Sequence, residues 1–237
     1  MAQKKLQRFE EIRHFKNVLQ YPENMAGNWH QIFNNTGPII LELACGKGEY
    51  ALGLGRMYPH RNFLGVDIKG NRIWRGAKTA LEEHLQNVAF LRTQIDRIHT
   101  YFQPGEVDEI WLTFPDPQLR TSRLRKRLTH PKFLRLYQQI IKADGCIHLK
   151  TDSPALYTFT KEIIHIFRLP LLQETNDLYA QTDMDAALKI KTHYEQLDIA
   201  GSQKIFYLKF LINKPLPPAW DDEVKRQIQL IEHGGKY

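Results

Sequence analysis

Short apolar runs recur along the chain, and most of them end at a glycine, a proline or an acidic residue. A run of this kind, bounded by turn residues, is typical of a buried strand. Five such runs predict strands at 39–44, 62–68, 88–91, 107–114 and 146–150. Apolar residues at helical spacing lie between them and predict helices at 50–58, 72–85, 131–141 and 155–167. Strands that alternate with helices indicate an α/β fold with a mainly parallel sheet.

The two ends of the chain differ in character from this central part. Residues 1–36 are basic and of mixed polar and apolar composition, and they predict an N-terminal extension. Residues 203–212 alternate as in a late strand, so the main domain is expected to cover 37–213. Three prolines lie near the start of the final segment, 214–237, which predicts a tail with one short helix near 221–231.

The composition favours a globular protein with an anionic partner. The formal net charge is +7 and the sequence pI is about 9.3. Such a balance suits nucleic acid, although many basic proteins bind none. No apolar run is long enough to cross a membrane, and no apolar stretch follows the first residues, so we expect neither a membrane span nor a signal peptide. The two isolated cysteines favour a reducing compartment, and we expect a cytoplasmic protein.

The junction after the first of these strands carries the clearest ligand-binding pattern. In LELACGKG, Gly46 and Gly48 follow the strand directly, where residues without a Cβ let the backbone approach a ligand. The third glycine of a dinucleotide-binding motif is missing. Glu42, before the turn, would repel a phosphate and would suit a ligand with a positive amino group or sulfonium. The pattern therefore favours a cationic cofactor over a dinucleotide.

Two further strand ends carry polar residues that could hold a nucleoside. Asp67 ends its strand about 20 residues after the glycine turn, where an acid takes a ribose hydroxyl in nucleotide-binding α/β folds. Gln94 follows the next strand and could read an adenine edge. Because ligands bind at the carboxyl ends of parallel strands, we expect Glu42, Asp67 and Gln94 to share one pocket. Taken singly, Gly46 and Gly48 are also consistent with an ordinary tight turn, Asp67 with a helix cap and Gln94 with a solvated loop.

A rigid, charged segment follows the strand at 107–114. In FPDPQ, Pro115 and Pro117 flank Asp116 and would hold its carboxylate at the mouth of the site. A basic run comes next, and it comprises Arg120, Arg123, Arg125, Lys126 and Arg127, followed by His130, Lys132 and Arg135. Beside the Asp116 loop, such a run predicts a phosphate-binding patch, while a solvated basic face is the ordinary alternative.

The remaining reactive side chains predict no further chemistry. The histidine, aspartate and glutamate residues show no metal-ligand spacing, so we expect no bound metal. His148 stands alone in a strand, which is more typical of a structural residue, and the role of His193 is left open. Cys45 lies beside the glycine turn and is expected to pack there as a small residue.

Several segments, taken in order, make the sequence resemble the bacterial tRNA (guanine-N7)-methyltransferase family. They are LELACGKGEY, NFLGVDIK, FPDP, KRLTHPKFL, IHLKTD and the late Thr192–Glu195, and they cover most of the chain from about Ile39 to Phe210. The resemblance implies the class I methyltransferase fold, a Rossmann-like seven-stranded sheet with an antiparallel last strand and helices on both faces. It also implies S-adenosylmethionine (SAM) as methyl donor, tRNA as partner, and N7 of a guanine in the tRNA variable loop (nucleotide 46) as acceptor.

The same resemblance implies roles for individual residues. The SAM positions, beside the glycine turn of Gly46 and Gly48, fall on Glu42, Asp67, Gln94 and Asp116. The substrate positions fall on Arg120, Asp152 and a T-x-Y-E motif made of Thr192, His193, Tyr194 and Glu195. We expect Asp152 to read the guanine, and Asp116, the expected catalytic residue, to bridge cofactor and base. The sequence departs from the family pattern at Gln94, where an acid is usual, at Gln118, where tryptophan is usual, and at Arg120, where lysine is usual.

Three other functions share part of this pattern. A nicotinamide-dependent dehydrogenase has the strand, glycine turn and acid, but Glu42, the missing glycine and the basic run oppose it. An amino-methyltransferase for adenine or cytosine carries a proline-rich loop, usually with an aromatic residue where Gln118 stands. A non-enzymatic RNA-binding protein on a methyltransferase fold is opposed by the intact acids, while Gln94 and Gln118 keep it open. The sequence is compatible with a monomer or a homodimer.

Overall fold

One eight-stranded sheet organises the chain, in a computed structural model that describes residues 2–196 and 204–234. The strands are β1 (Val18–Gln20), β2 (Ile39–Leu43), β3 (Asn62–Asp67), β4 (Val88–Arg92), β5 (Val107–Thr113), β6 (Ile141–Thr151), β7 (Leu171–Thr175) and β8 (Phe206–Leu211). Their order is β1-β4-β3-β2-β5-β6-β8-β7. The neighbours from β1 to β6 pair in parallel, while β8 pairs antiparallel with both β6 and β7. This confirms the predicted α/β class and the antiparallel late strand.

The helices connect the strands and cover the sheet. They are α1 (Ala2–Glu11), α2 (Trp29–Phe33), α3 (Glu49–Met57), α4 (Gly70–Glu82), α5 (Pro131–Gln138), α6 (Pro154–Ile166), α7 (His193–Gln196) and α8 (Asp221–Gly234). Short 3₁₀ turns lie between them, including Ile95–Tyr101 and Thr121–Lys126. None of the helices in the described residues is long and apolar enough to cross a membrane.

The chain reverses its direction across the sheet between β2 and β5. From β2 it passes outward through β3 and β4, and it then returns to add β5 and β6 on the other side of β2. In an open parallel sheet, such a switch point leaves a crevice at the carboxyl ends of the two strands, because the flanking connections leave in opposite directions. In this chain, the crevice lies between Leu43 and Thr113.

The sheet has one strand more than the seven expected. The additional strand, β1, comes from the predicted N-terminal extension and pairs with β4 at the sheet edge. Trp29 and Phe33 of α2 are also buried in the core. With only three residues, β1 carries no alternation that sequence could reveal. Four of the five residues of β7 are exposed, so it also lacked an apolar pattern. The division of the chain at residues 36 and 213 stays a prediction.

The strand predicted at 146–150 begins earlier in the structure, and Asp144 and Gly145 lie within it rather than in a turn before it. Strand β6 runs continuously from Ile141 to Thr151, and its pairing with β5 shifts register between Val107 and Glu109. At Gly145 an added Cβ would lie 2.6 Å from Cγ1 of Ile141 and 2.7 Å from a β5 carbonyl. The glycine therefore marks a close approach within an irregular strand pair rather than a turn before the strand.

Candidate active site

A cavity of about 240 Å³ opens at the carboxyl ends of β2, β3 and β5. It is lined by Glu42, Ala44, Cys45, Gly46, Lys47, Glu49, Asp67, Lys69, Arg72, Thr113, Phe114, Pro115, Asp116 and Thr192. Five residues predicted from sequence are therefore brought together: Glu42, Gly46, Asp67, Asp116 and Thr192. The position at the switch point of the sheet is where ligands bind in this architecture.

The two glycines of the turn after β2 have different tasks. Both adopt positive φ, 57° at Gly46 and 69° at Gly48. A Cβ built on Gly46 would meet no heavy atom within 4 Å, whereas one on Gly48 would lie 2.4 Å from Cε1 of Phe90. Gly46 therefore keeps open space at the cavity wall, and Gly48 permits close packing of the turn against the core.

Glu42 is a buried acid below the cavity. Its Oε2 accepts a hydrogen bond from the Ala51 N–H at 2.9 Å, and its Oε1 accepts one from Thr113 Oγ1 at 3.0 Å. Burial raises the pKa of Glu42 to about 8, and the charge of Glu49 acts in the same direction. At neutral pH the carboxyl is therefore mostly protonated in the free protein, and a cationic ligand above it would favour ionisation.

Asp67 ties the end of β3 to the glycine turn. Its Oδ2 accepts the Gly46 N–H at 3.0 Å, and its Oδ1 accepts the Lys69 N–H at 2.8 Å. A carboxylate has about four acceptor sites, so two can still receive the hydroxyls of a ribose. Gln94 begins a 3₁₀ turn, is exposed, and does not belong to the cavity lining. The structure therefore does not bring Gln94 to the same wall as Asp67.

The loop after β5 is held in an unusual conformation. Phe114 and Gln118 both have positive φ, 48° and 46°. Between them, the exposed Asp116 accepts the N–H of Gln118 at 3.0 Å on its Oδ1. Arg127 donates from Nε to the carbonyl of Pro117 at 2.9 Å. These contacts fix the Asp116 carboxylate at the cavity mouth and offset the strain of the non-glycine residues at positive φ.

The predicted phosphate-binding patch is smaller than expected. Arg127 is 1% exposed, and its guanidinium lies 4.6 Å over the Phe159 ring, so its assignment to an exposed patch is wrong. His130 is buried and caps α5. Lys132 and Arg135 pair with acids, Asp96 and Asp221. The exposed residues that remain for phosphate contact are Arg120, Arg123, Arg125 and Lys126.

Arg120 and Asp152 lie beside the cavity lining rather than in it. Arg120 is exposed and precedes the 3₁₀ turn Thr121–Lys126. Asp152 is partly buried, directly after β6 and before Ser153, whose side chain caps α6. Both follow the strands β5 and β6 at the same edge of the sheet as the cavity, which is compatible with contact to a substrate larger than the cofactor.

The T-x-Y-E motif is divided between the cavity and the interior. Thr192 is buried in the cavity wall, and His193 is exposed on α7. The Glu195 N–H donates to Thr192 Oγ1, and the Thr192 N–H donates to Glu195 Oε2, both at 3.2 Å. This reciprocal pair caps α7. The Glu195 carboxylate turns inward, 3.1 Å from Nζ of Lys150, and the side chain of Tyr194 lies outside the described residues.

Sequence reasoning gave no role to Lys150, which is fully buried on β6. Lysine almost never occupies such a position without partners. Its Nζ lies within hydrogen-bond distance of the Leu188 and Ile190 carbonyls, both at 3.0 Å. The segment between residues 188 and 195 is therefore attached to the sheet by this side chain. The pattern IHLKTD contains the lysine, but its partners follow about 40 residues later. The local sequence therefore could not predict these contacts.

A second buried polar cluster lies further from the cavity on β5 and β6. Nε2 of His148 is 3.1 Å from Sγ of Cys146 and 3.4 Å from Oε2 of Glu109. Nδ1 of His148 contacts the Tyr207 hydroxyl at 2.8 Å, and its ring stacks on Trp111. These partners agree with the structural role expected for His148. In the described residues, the cluster groups three possible metal ligands. The absence of a metal stays a prediction.

A larger groove of about 1020 Å³ lies along α6 and α8. None of the predicted site residues lines it, and its wall includes the exposed Trp220 together with Arg168 and Glu223. The smaller cavity at the switch point is therefore the candidate active site, because Glu42, Asp67 and Asp116 line it.

The strand order and the acid-lined cavity define a class I SAM-dependent methyltransferase. The solved structure of the 16S rRNA methyltransferase KamB shares the fold, with a TM-score of 0.58 over 80% of this chain and 94% of that one, at 16% sequence identity. The 16S rRNA (adenine(1408)-N(1))-methyltransferase from Catenulisporales acidiphilia is similar to the same extent, with a TM-score of 0.56 over 78% and 92% at 13% identity.

Sequence comparison gives the family. The family model described as "Putative methyltransferase" matches residues 36–208. The tRNA (guanine-N(7)-)-methyltransferase of Bacteroides thetaiotaomicron is 47% identical over 219 residues, 89% of this chain and 86% of that protein. The protein of the same name from Porphyromonas gingivalis is 47% identical over 203 residues, 84% and 82% of the two chains. The chain belongs to the tRNA (guanine-N7)-methyltransferase family, as its resemblance to that family predicted.

The cavity residues fit the cofactor of this class. Buried Glu42 suits the cationic part of SAM, and Asp67 retains free acceptor sites for ribose hydroxyls. The open space beside Gly46 leaves room for a ligand against the backbone.

Proposed function

We propose that the chain transfers the methyl group of SAM to N7 of a guanine in tRNA, in the variable loop at nucleotide 46. The observation that carries this proposal is the cavity at the switch point, which is lined by Glu42, Asp67 and Asp116 and is followed in sequence by an exposed basic run. Membership of the tRNA (guanine-N7)-methyltransferase family supports the choice of substrate and atom. The two buried free cysteines, Cys45 and Cys146, support a cytoplasmic location.

The acceptor atom sets modest chemical demands. N7 of guanine is an exposed acceptor without a proton, so the enzyme needs no general base at the nucleophile. SAM supplies an electrophilic methyl group on a sulfonium. The protein must therefore hold the base in line with that methyl group and exclude competing orientations, which is catalysis by proximity and orientation.

Two acids are placed to handle the guanine. Asp116 lies at the cavity mouth with one oxygen fixed by the Gln118 N–H. Asp152 follows β6 at the same edge of the sheet. We assign Asp116 to the boundary between cofactor and base, where its charge stabilises the positive charge that the ring gains. We assign Asp152 to the N1–H and N2 amino group, two donors that adenine lacks at these positions, so this contact selects guanine.

The exposed basic residues are suited to the RNA backbone. Arg120, Arg123, Arg125 and Lys126 are exposed and follow the Asp116 loop directly in sequence. Phosphate contacts of this kind position a nucleic acid without reading its sequence. Selection of the nucleotide would then come from the acids and the T-x-Y-E motif. Whether one chain or a homodimer binds the tRNA stays a prediction.

The test uses the variants Asp116→Ala and Asp152→Ala with methyl-labelled SAM and unmodified tRNA, followed by nucleoside mass analysis. Because Asp116 is exposed and Asp152 is half-buried, we expect both variants to fold, with stability within about 1 kcal/mol of wild type. Methylation is expected to fall about 100-fold or more. The matched control is Asp144→Ala, an exposed aspartate at the opposite end of β6, which should methylate normally.

Wild-type turnover in both site variants would remove these assignments. A wild-type protein that binds tRNA and produces no N7-methylguanosine would instead favour a non-enzymatic RNA-binding protein on this fold.

A further inference from the structure

Lys150 is a charged side chain at the centre of a polar contact network. It is 0% exposed, and its Nζ has four neighbours within hydrogen-bond distance. These are the carbonyls of Leu188 and Ile190 at 3.0 Å, the Tyr179 hydroxyl at 3.1 Å and Oε2 of Glu195 at 3.2 Å. An ammonium has three protons, so every donor is satisfied. Tyr179 in turn donates to the Glu195 carboxylate.

All four neighbours belong to one stretch of chain, between β7 and β8. This stretch contains the 3₁₀ turns Leu178–Ala180 and Ala186–Lys189 and the four-residue α7, and its described residues, 176–196 and 204–205, form no strand. Such a segment has few backbone bonds to fix it on the sheet. Lys150 reaches it from β6 and binds the two carbonyls that immediately precede the T-x-Y-E motif.

The contacts of Lys150 reach the cavity wall through Glu195 and Thr192. Glu195 is bound to Lys150 and, through the reciprocal cap, to the backbone of Thr192. Thr192 lies in the wall of the cofactor cavity, and His193 follows it on the exposed side. A displacement of the 188–195 segment would therefore move the cavity wall and the start of α7 together.

The position is costly for a lysine. Burial lowers the pKa of Lys150 to about 8, the charge of Lys191 acts in the same direction, and the Glu195 carboxylate opposes both. The other titratable groups that face it are Tyr179, Tyr50 of α3 and, through the β6–β8 pairing, Tyr207. A methionine would fill the same volume without this cost. The lysine therefore contributes hydrogen bonds and an ion pair that an apolar side chain of the same volume could not make.

We propose that Lys150 is a positioning residue for the methyl-transfer reaction, which holds the T-x-Y-E segment against the sheet so that Thr192 closes the cavity and His193 faces the RNA. The proposal rests on the proposed function and concerns its tRNA-contacting side. Lys150 does not line the cavity, so it acts on substrate only through the segment that it holds.

The test compares Lys150→Met with wild type in steady-state methylation of tRNA and in direct SAM binding. Loss of the anchor should lower kcat/KM for tRNA about 10- to 100-fold, since a loosened contact segment must be ordered on binding. SAM affinity should change less than about threefold, because strand-end residues supply most of that site. The matched control is Lys209→Met, which removes a partly buried lysine on the adjacent strand β8 and should leave both quantities unchanged.

A pH profile and a conservative variant separate positioning from general packing. In wild type, kcat/KM for tRNA should fall above about pH 8, where Lys150 loses its proton and the attraction to Glu195. Lys150→Arg retains the charge at all these pH values, so its partial activity should not show that decline. If Lys150→Met does not fold, Glu195→Gln replaces it, with the same expected loss for tRNA.

The proposal is overturned if folded Lys150→Met matches wild type toward tRNA, if it loses SAM and tRNA binding equally, or if Lys150→Arg retains the alkaline decline. A wild-type protein that methylates no tRNA would overturn the proposed function instead, so the two failures are distinguishable.

Discussion

Glu42 and Thr113 are joined across the switch point of the sheet, where Thr113 Oγ1 donates to Glu42 Oε1 at 3.0 Å. The bond connects the ends of β2 and β5, the two strands between which the chain reverses direction. It also keeps the buried carboxyl oriented toward the cavity, although burial disfavours its charged form. The cofactor site is therefore built around an acid that is poised to ionise when a cation arrives.

Proton release on SAM binding is the first prediction. The pKa of Glu42 is about 8 in the free protein because of burial, so the group holds its proton at pH 7. A cationic ligand lowers that pKa, and binding should release close to one proton at pH 7. SAM affinity should rise from pH 6 to 8 and then level off. Calorimetry in buffers of different ionisation enthalpy measures the released proton directly.

The control for this measurement is Glu42→Gln, which is nearly isosteric: its oxygen can accept from the Ala51 N–H and its NH2 group can donate to the Thr113 hydroxyl. It should bind SAM more weakly, with no released proton and a flat pH dependence. Proton release that persists in this variant would show that another group titrates.

The two glycines of the turn give a matched pair for the second prediction. Gly48→Ala places a Cβ 2.4 Å from the buried Phe90 ring at positive φ, and it should cost about 3 kcal/mol of unfolding free energy. Gly46→Ala meets no neighbouring atom and should cost only about 1 kcal/mol for its φ of 57°. The new methyl group occupies ligand space, so SAM affinity should fall about tenfold or more.

Chemical denaturation and SAM titration of the two variants check this difference. Equal stability losses, or normal SAM binding by Gly46→Ala, would contradict the separate roles assigned to the two positions.

Loss of the Asp67 charge should weaken SAM binding without disrupting the turn. Asp67→Asn retains one oxygen that can accept the Gly46 N–H, which now bonds to Oδ2 at 3.0 Å. It replaces the other acceptor by a donor that faces the Lys69 N–H. We expect SAM affinity to fall about 10- to 100-fold, which corresponds to one or two lost charge-assisted hydrogen bonds. Asp144→Asn serves as control, and unchanged affinity in Asp67→Asn would exclude the ribose assignment.

The exposed arginines should control tRNA affinity and its salt dependence. The double variant Arg123→Gln with Arg125→Gln removes two exposed charges from the basic run that follows the Asp116 loop. We expect the KM for tRNA to rise about tenfold at low salt and the slope of log affinity against log salt to become shallower by about 1 to 2. SAM affinity should not change. Lys225→Gln, which removes one exposed charge from α8, should leave the slope unaltered. A slope equal to wild type in the double variant would exclude phosphate contacts at Arg123 and Arg125.

The sequence predicted the residues that act through strand ends. Glu42 and Asp67 lie at the carboxyl ends of apolar runs and Asp116 follows another, so the period of the strands and the rule for parallel sheets were enough to bring them together. Gln94 satisfied the same rule and yet is exposed and lies outside the cavity lining, directly before the 3₁₀ turn Ile95–Tyr101. The position of Gln94 in the sequence therefore predicted the correct edge of the sheet, but it did not predict whether the side chain lines the cavity.

Other features depend on contacts that no local pattern contains. Arg127 was read as part of the exposed basic run, but it folds inward to the Pro117 carbonyl and the Phe159 ring. Lys150 is bound by carbonyls about 40 residues away. Strand β1 has three residues and is defined only by its partner β4. Each depends on tertiary packing, which overrides local composition.

The reaction at N7 is tested most directly with two tRNA transcripts, identical except that one carries 7-deazaguanine at the variable-loop guanine. The protein, labelled SAM and each transcript are incubated, and the nucleosides are analysed by mass. We predict one methyl group per tRNA as N7-methylguanosine on the ordinary transcript, and none on the transcript that lacks the N7 atom. Equal labelling of both transcripts, or label in any other nucleoside, would contradict transfer to guanine N7.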